Sequence, residues 1–175
     1  MPAPTEYVLF AEEQSFRQTW LWALLGGTLV VLLGAFGLVL LQAAERGDAL
    51  PAVGGLAVGL VLEIGVIVLM YVLKLTVRVD GNGLHVHFFP LVKKDIPLAA
   101  IARWEARTYH PILEYGGWGI RCGWQGWAYN VSGNRGVQLE LTDGKRLLIG
   151  SQRPDDLAAA IERAKQHGSR AGPAM

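Results

Sequence analysis

The residues best suited to chemistry lie together in "YGGWGIRCGWQGWAYN", residues 115–130. This stretch contains Arg121, the only cysteine of the chain (Cys122) and three of its six tryptophans. An activated thiol needs a base beside it, and the sequence shows no histidine pattern that would pair with Cys122. A single cysteine also forms no internal disulfide, which favours a reducing compartment. The stretch therefore does not predict an enzyme.

Two other interpretations of the same stretch stay open. Its five glycines allow tight bends, so it can form a bent strand pair whose tryptophans fill or cover the domain, with Trp118 internal. Alternatively, it is an interfacial loop in which Trp124 and Trp127 enter lipid headgroups beside Arg121. Arg121, Trp124 and Trp127 are therefore the predicted interfacial or ligand-contacting residues.

Residues that bind metals or phosphates are sparse. His85 and His87 share one face of a predicted strand, but a zinc site takes three or four ligands. The chain has no GK[ST] phosphate loop. We therefore expect no catalytic residue, no cofactor and no metal site.

Two long apolar segments are almost free of charge. Residues 19–41 contain no charged residue, and residues 49–73 contain only Glu63. Each segment is long enough to cross a hydrocarbon core of roughly 30 Å as a helix. Acidic residues precede the first segment, which is also longer than the apolar region of a signal peptide, so we interpret it as a retained helix. The pattern predicts a transmembrane hairpin over 19–73, with helices at 19–41 and 50–73.

Glu63 is the one polar feature of this hairpin that needs a partner. A carboxylate at mid-membrane costs about 2.5 to 3.5 kcal/mol on insertion scales, and matching depths place it close to Thr28. It is interpreted as a protonated acid that is hydrogen-bonded to Thr28 or to a carbonyl, or as a contact with a partner's membrane helix. Gly55 and Gly59 form a GxxxG pattern, which favours close packing within the hairpin or dimerisation.

The basic residues predict the orientation of the hairpin. The short connection between the helices has one basic residue, Arg46, whereas Lys74, Arg78, Lys93 and Lys94 follow the second helix. The positive-inside rule therefore places the carboxyl-terminal region in the cytoplasm. Two crossings return the amino terminus to the same side, so we expect a multi-pass protein of the cell membrane with both termini cytoplasmic.

Alternating apolar residues predict strands after the hairpin. The clearest candidates are "KLTVRVD" and "LHVHFF" around a "DGNG" turn, "IARWEART", and "GVQLELT" and "KRLLIG" around a "DG" turn. A helix begins at Pro154 and is predicted to end at Gly168. The fold class is therefore an α+β membrane protein. Its hairpin precedes a small antiparallel β-barrel of six or seven strands, which is closed by a carboxyl-terminal helix.

The order of these elements resembles a pleckstrin-homology-like (PH-like) domain. With the preceding hairpin and the motifs "GGWGIR", "AYNVSGNRGVQLEL" and "DGKRLLIGSQRPDDLAAAI", the chain resembles an uncharacterised family of bacterial membrane proteins over roughly residues 20–166. The predicted organisation is a cytoplasmic segment at 1–18, the hairpin at 19–73, a domain at 74–167, which the resemblance identifies as PH-like, and a flexible tail at 168–175. The "DGNG" turn has no Lys or Arg, so the resemblance does not imply inositol-lipid recognition.

Charge supports a partner at the membrane surface. From Lys74 onward the chain has 14 Lys and Arg residues against 9 Asp and Glu residues, a net charge of +5. Such a domain is attracted to an anionic leaflet, by about 1 kcal/mol for each basic residue that reaches it. No dense basic stripe or recognition motif predicts nucleic-acid binding.

Two functions are therefore expected, neither of them enzymatic. In the first, the PH-like domain binds a protein, a peptide or lipid headgroups at the cytoplasmic face. In the second, the protein is an accessory subunit of a transporter or membrane enzyme and docks through Glu63 and the glycine face of the hairpin. The expected partners are membrane lipids, and a membrane protein or a second copy of the chain.

Overall fold

The structure is a computed structural model that describes residues 7–46 and 50–170. Three parts of the predicted organisation lie outside the described residues. They are residues 1–6 of the amino-terminal segment, 47–49 of the helix connection and 171–175 of the tail. The chain divides into two compact units. We call Phe16–Val72 the hairpin unit and the rest the β-unit.

The hairpin unit consists of two long helices, α1 (Thr19–Arg46) and α2 (Leu50–Val72). Within them, Thr19–Gln42 and Val53–Val72 are long and apolar enough to cross a membrane. Large apolar side chains stay exposed along both helices. A helix that is apolar on all sides, as these are, suits a lipid environment.

The β-unit contains nine strands within the described residues. Five of them are β1 (Phe10–Ser15), β2 (Lys74–Val79), β3 (Gly83–Phe89), β4 (Val92–Pro97) and β5 (Ile101–Thr108). The others are β6 (Gly119–Gly123), β7 (Gly126–Asn130), β8 (Arg135–Leu141) and β9 (Arg146–Gly150). Two further helices are α3 (Pro111–Tyr115) and α4 (Pro154–Arg170).

The first sheet has four antiparallel strands in the order β1-β2-β3-β4. Its β1 comes from the segment that the sequence placed outside the domain. Phe10 pairs with Val79 and Ser15 pairs with Lys74, so the hairpin unit is inserted between two neighbouring strands. Phe10 and Gln14 are buried on one face of β1, which explains why this short segment adds to the sheet.

The second sheet has the order β5-β8-β9-β7-β6. The predicted closed, wholly antiparallel barrel is wrong in two respects. First, β7 runs parallel to β9, because the β6–β7 hairpin adds to the sheet beyond the β8–β9 hairpin. Second, no backbone ladder joins the two sheets within the described residues. Side chains cross this gap instead: Gln14 Nε2 donates to Gly150 O at 2.9 Å.

Helix α4 contacts strands of both sheets, namely β1, β2, β5 and β8. Leu157, Ile161 and Ala164 form part of its fully buried face. Lys165 Nζ donates to Ile101 O and lies 4.9 Å from the centre of the Trp104 ring. The helix begins at Pro154 as predicted, but it continues past Gly168 to Arg170.

The buried core of the β-unit is aliphatic and tyrosine-rich. Alternate residues of β2 and β3 are fully buried, and so are Leu139, Leu147 and Ile149 of the second sheet. None of the six tryptophans, all of which are described, belongs to this buried core. The tryptophans of the 115–130 stretch therefore do not fill the domain, and Trp118 is only half-buried.

Candidate functional site

The β6–β7 hairpin places a tryptophan at its tip. Cys122 pairs with Trp127 and Gly123 pairs with Gly126, so Trp124 and Gln125 form the turn. The Trp124 side chain is 98% exposed, and Trp127 is also exposed. The strand pair that the glycines predicted is therefore present, and Trp124 projects from its end.

Two glycines make this turn compatible with its neighbours. Gly126 has φ of 102°, a backbone conformation that side chains disfavour, and a Cβ atom there would overlap Arg146 O. A Cβ atom at Gly123 would overlap Glu114 O in α3. The turn is thus packed closely against β9 on one side and α3 on the other.

The Arg107 guanidinium, on β5, holds these elements together. Its Nη2 donates to Glu114 Oε2 at 2.7 Å, to Gln138 Oε1 at 3.1 Å and to Gln125 Oε1 at 3.2 Å. Burial opposes the charge on Arg107, but the hydrogen bond and attraction of Glu114 outweigh it and raise the pKa of Arg107. One side chain therefore ties β5, β8 and α3 to the turn formed by Trp124 and Gln125, which we call the tryptophan turn.

Helix α3 lies beside the tryptophan turn. Pro111 occupies its first turn, and Gly116 ends it in the left-handed conformation. Glu114 Oε1 accepts from His110 N at 2.7 Å. Although burial opposes ionisation, the Arg107 and His110 hydrogen bonds lower the pKa of Glu114. This helix was not among the predicted elements, although "HPILEYGG" carries its proline start and glycine end.

Apolar side chains on α3 face solvent beside the turn. Leu113 is 82% exposed and Ile112 is also exposed. Because Glu114 contacts both Gly123 and the Arg107 that binds Gln125, these side chains and Trp124 lie in one region. We use the name tryptophan surface for the exposed side chains of α3 and of the β6–β7 hairpin, which are Ile112, Leu113, Arg121, Trp124 and Trp127.

The three predicted contact residues all lie on the β6–β7 hairpin. Arg121 pairs with Ala128, next to Trp127, and its Nε donates to Trp118 O at 3.0 Å. Trp118 Nε1 in turn donates to Gly133 O at 2.9 Å. Arg121 itself is exposed, but its side chain lies on the opposite face of the hairpin from Trp127, because Trp127 pairs with Cys122.

A polar groove of about 500 Å³ lies next to this region on the second sheet. Arg103 pairs with Glu140 and Glu105 pairs with Gln138, and Arg146 adds a second cation. The lining of the groove therefore contains two cations and two carboxylates. This balance does not favour either an anionic or a cationic ligand.

In the hairpin unit, Thr28 and Glu63 are the polar pair that depth matching predicts. Thr28 Oγ1 lies 2.6 Å from Glu63 Oε1 and 3.0 Å from the carbonyl oxygens of Leu24 and Leu25. The Thr28 hydroxyl therefore joins α1 to α2 at Glu63 and also contacts carbonyl groups of its own helix.

The GxxxG glycines leave space around α2. A Cβ atom at Gly59 would meet only Leu32 Cδ2, at 4.0 Å, and one at Gly55 would meet nothing within 4 Å. The two described helices therefore do not approach each other closely at Gly55.

The predicted histidine face contains one ordered cluster. His85 Nδ1 lies 2.6 Å from Asp95 Oδ1, and its Nε2 lies 3.2 Å from Asp80 Oδ2. Asp80 is buried and accepts from the backbone N–H groups of Asn82 and Gly83. Among the described residues, no group of three or more His, Cys, Asp and Glu side chains could hold a metal ion. The cluster is a turn-stabilising network.

Comparison of the chain with protein-family models, with curated proteins and with solved structures finds no match. The resemblance to PH-like domains and to a bacterial membrane-protein family therefore stays a prediction.

Proposed function

We propose that the protein is a non-enzymatic, membrane-anchored binding protein. Its hairpin unit crosses the cell membrane twice, with both termini cytoplasmic. Its β-unit, whose element order resembles a PH-like domain, binds anionic lipid headgroups at the cytoplasmic face through the tryptophan surface. A protein or peptide at the membrane is the second ligand class for the same surface.

One observation carries this proposal: Trp124 is 98% exposed on a turn that the Arg107 network holds in place. Covering such a ring with another phase or molecule would be favourable, by about 25 cal/mol for each Å² of apolar area removed from water. Tryptophan is the residue that most often occupies the membrane–water interface, since its ring is apolar and its N–H is polar.

The neighbouring groups favour an anionic lipid surface as that partner. Arg121 supplies an exposed cation on the same hairpin as Trp124, and Ile112 and Leu113 add exposed apolar side chains on the neighbouring α3. The net charge of +5 from Lys74 onward attracts the domain to an anionic leaflet. A soluble small ligand is not favoured, because the groove beside the surface is polar and its charges balance.

An accessory-subunit role is the alternative. Space around Gly55 allows a helix of another membrane protein to approach α2 closely. Glu63 is already bonded to Thr28, so it contributes to such docking only if that bond is exchanged for one across the interface. Purification in mild detergent separates the two functions: a stoichiometric membrane partner that Gly55→Leu removes supports the alternative.

The lipid proposal is tested on the full chain in nanodiscs. A cysteine replaces Trp124 in a Cys122→Ser background and carries an environment-sensitive dye. We expect the dye emission to shift to the blue in nanodiscs that contain phosphatidylglycerol, compared with detergent micelles. A dye at Asp143, on the exposed β8–β9 turn, is the control and should not shift. Equal emission at the two positions would contradict the proposal.

A further inference from the structure

The end of the first sheet that continues into the membrane helices carries a second apolar feature. Ser15 pairs with Lys74, and Lys74 pairs with Phe89. Along the chain, α1 begins four residues after Ser15, and only Leu73 separates Lys74 from the end of α2. One end of β1, of β2 and of β3 therefore lies at the same end of the sheet. Only a few residues connect β1 and β2 to the membrane helices.

The third strand ends there in a tight apolar turn. Leu91 N donates to Phe88 O at 2.8 Å, which closes the turn between β3 and β4. Phe88 is buried in the core, so it fixes the base of the turn. Phe89, Pro90 and Leu91 are three consecutive apolar residues, all of them exposed, and we call them the β3–β4 tip. Leu91 is 56% exposed.

Basic side chains flank this tip. Lys93 and Lys94 follow it on β4, and Lys74 lies opposite Phe89. Two of the three already have acidic neighbours: Lys74 Nζ lies 2.8 Å from Glu13, and Lys93 Nζ lies 3.9 Å from Asp95. The apolar residues are therefore the main membrane-binding feature of the tip, and the lysines make its rim compatible with anionic headgroups.

The opposite end of the same sheet has a different composition. The turn between β2 and β3 is Asp80–Asn82, which is polar and contains no basic residue. Strand β3 has seven residues, so the two turns are roughly 20 Å apart at about 3.3 Å per residue. Of these two turns, only the one near the helix attachments is apolar.

We propose that the β3–β4 tip inserts into the interfacial layer of the bilayer that the hairpin unit crosses. The occupant of the tip is thus the chain's own membrane. The short tethers at Ser15 and Lys74 keep the tip close to that bilayer, so insertion needs no diffusion of a free domain. This contact rests on the proposed membrane crossing of the hairpin unit, but it uses a surface separate from the tryptophan surface and does not depend on the ligand proposed there.

The test uses the full chain, reconstituted in vesicles of three parts phosphatidylcholine and one part phosphatidylglycerol. A nitroxide label is attached to Leu91→Cys or to Asn82→Cys, each in a Cys122→Ser background. The collision rate of each label is measured with oxygen, which concentrates in lipid, and with a nickel chelate, which stays in water. Phe89→Cys is a second position in the tip, and unlabelled melting curves show that each variant is folded.

We expect the label at Leu91 to collide several-fold more with oxygen than with the nickel chelate, relative to the label at Asn82. The label at Phe89 should behave like the one at Leu91. Equal, water-like collision ratios at the tip and at Asn82 in folded protein would overturn the proposal. A label at Trp124 reports on the tryptophan surface separately, so failure of one contact is distinguishable from failure of the other.

Discussion

Arg107 and Glu114 form an ion pair of 2.7 Å between the end of β5 and the short helix α3. Both side chains are largely buried, and the same guanidinium reaches Gln125 in the tryptophan turn. Burial and the several shared acceptors make this pair stronger than an exposed surface ion pair. Through Glu114 and Gln125 it ties α3 to the turn that carries Trp124.

Replacing Arg107 should loosen this connection. Arg107→Gln leaves Glu114 without its cation, and we expect the free energy of unfolding to fall by about 2 kcal/mol. Hydrogen exchange should accelerate at 111–115 and 123–126. The control is Arg103→Gln, an exposed position on the same strand, which should change the free energy by less than about 0.5 kcal/mol. Equal effects of the two substitutions would show that the network does not stabilise the surface.

Alanine substitutions at Gly126 and Gly144 distinguish the cost of a steric clash from the cost of a left-handed backbone conformation. Both have positive φ, of 102° and 79°, but only Gly126 has a backbone oxygen where its Cβ would lie. We expect Gly144→Ala to lower the free energy of unfolding by about 1 kcal/mol, from the left-handed backbone alone. Gly126→Ala should cost about 3 kcal/mol, because the clash with Arg146 is added. Chemical denaturation measures both, and similar losses would mean that the turn is not packed against β9.

Local patterns predicted six or seven strands and located five of them, together with the start of α4, because alternation and turn residues extend over only a few positions. They missed β1, since "FAEEQS" is short and charged and becomes a strand only by pairing with β2 across the inserted hairpin. Local patterns also do not predict the parallel pairing of β7 with β9, because it depends on where a whole hairpin adds to the sheet. Arg121, Trp124 and Trp127 were singled out from composition, and their role as contact residues stays a prediction. Ile112, Leu113 and the Arg107 network were not singled out, because tertiary packing brings them to the turn.

The His85 cluster should make stability depend on pH. The hydrogen bond to Asp95 raises the pKa of His85, against burial and with the help of Asp80. The stabilisation is therefore complete below the ordinary histidine pKa of about 6.5 and is lost as pH rises through the higher folded pKa. The pKa of Asp95 is lowered by its hydrogen bond to His85, so that contribution is lost only as pH falls through the lowered value.

The measurement is the melting temperature of the full chain in detergent between pH 5 and pH 9. We expect the native chain to lose more stability above about pH 6.5 than His85→Asn, whose stability should vary less. His87→Asn is the matched control on the same strand face and should keep the native dependence. Identical pH profiles for His85→Asn and the native chain would contradict this account of the cluster.

Substitutions of Thr28 and of Glu63, which are hydrogen-bonded to each other, should affect stability unequally. Glu63→Leu leaves the Thr28 hydroxyl bonded to Leu24 or Leu25, so we expect little loss of stability in micelles. Thr28→Val leaves Glu63 without its partner in an apolar environment and should cost about 1 to 2 kcal/mol. Thr28→Ser keeps the hydroxyl and serves as the control. Unfolding in sodium dodecyl sulfate measures the loss of stability for each substitution. A larger loss for Glu63→Leu than for Thr28→Val would refute this expectation.

The binding test uses a soluble form of the β-unit. Because Ser15 and Lys74 are paired neighbours, a short glycine–serine linker can replace the hairpin and join residues 7–15 to 73–170. This form keeps β1, which a fragment that begins at Lys74 would lack. It has 14 Lys and Arg residues against 11 Asp and Glu residues, a net charge of +3. A cooperative melting transition establishes that it is folded before binding is measured.

The most direct measurement is the affinity of this β-unit for vesicles that contain phosphatidylglycerol, with and without Trp124. Trp124→Ala should weaken binding about tenfold, since burial of a large aromatic ring contributes about 1.5 kcal/mol or more. The free energy of unfolding should stay within about 0.5 kcal/mol, because the side chain is 98% exposed. Trp124→Phe should retain most of the binding, and added salt should weaken it for every form. A folded β-unit that ignores these vesicles at low salt, or binds them equally well after Trp124→Ala, would contradict the lipid-binding account.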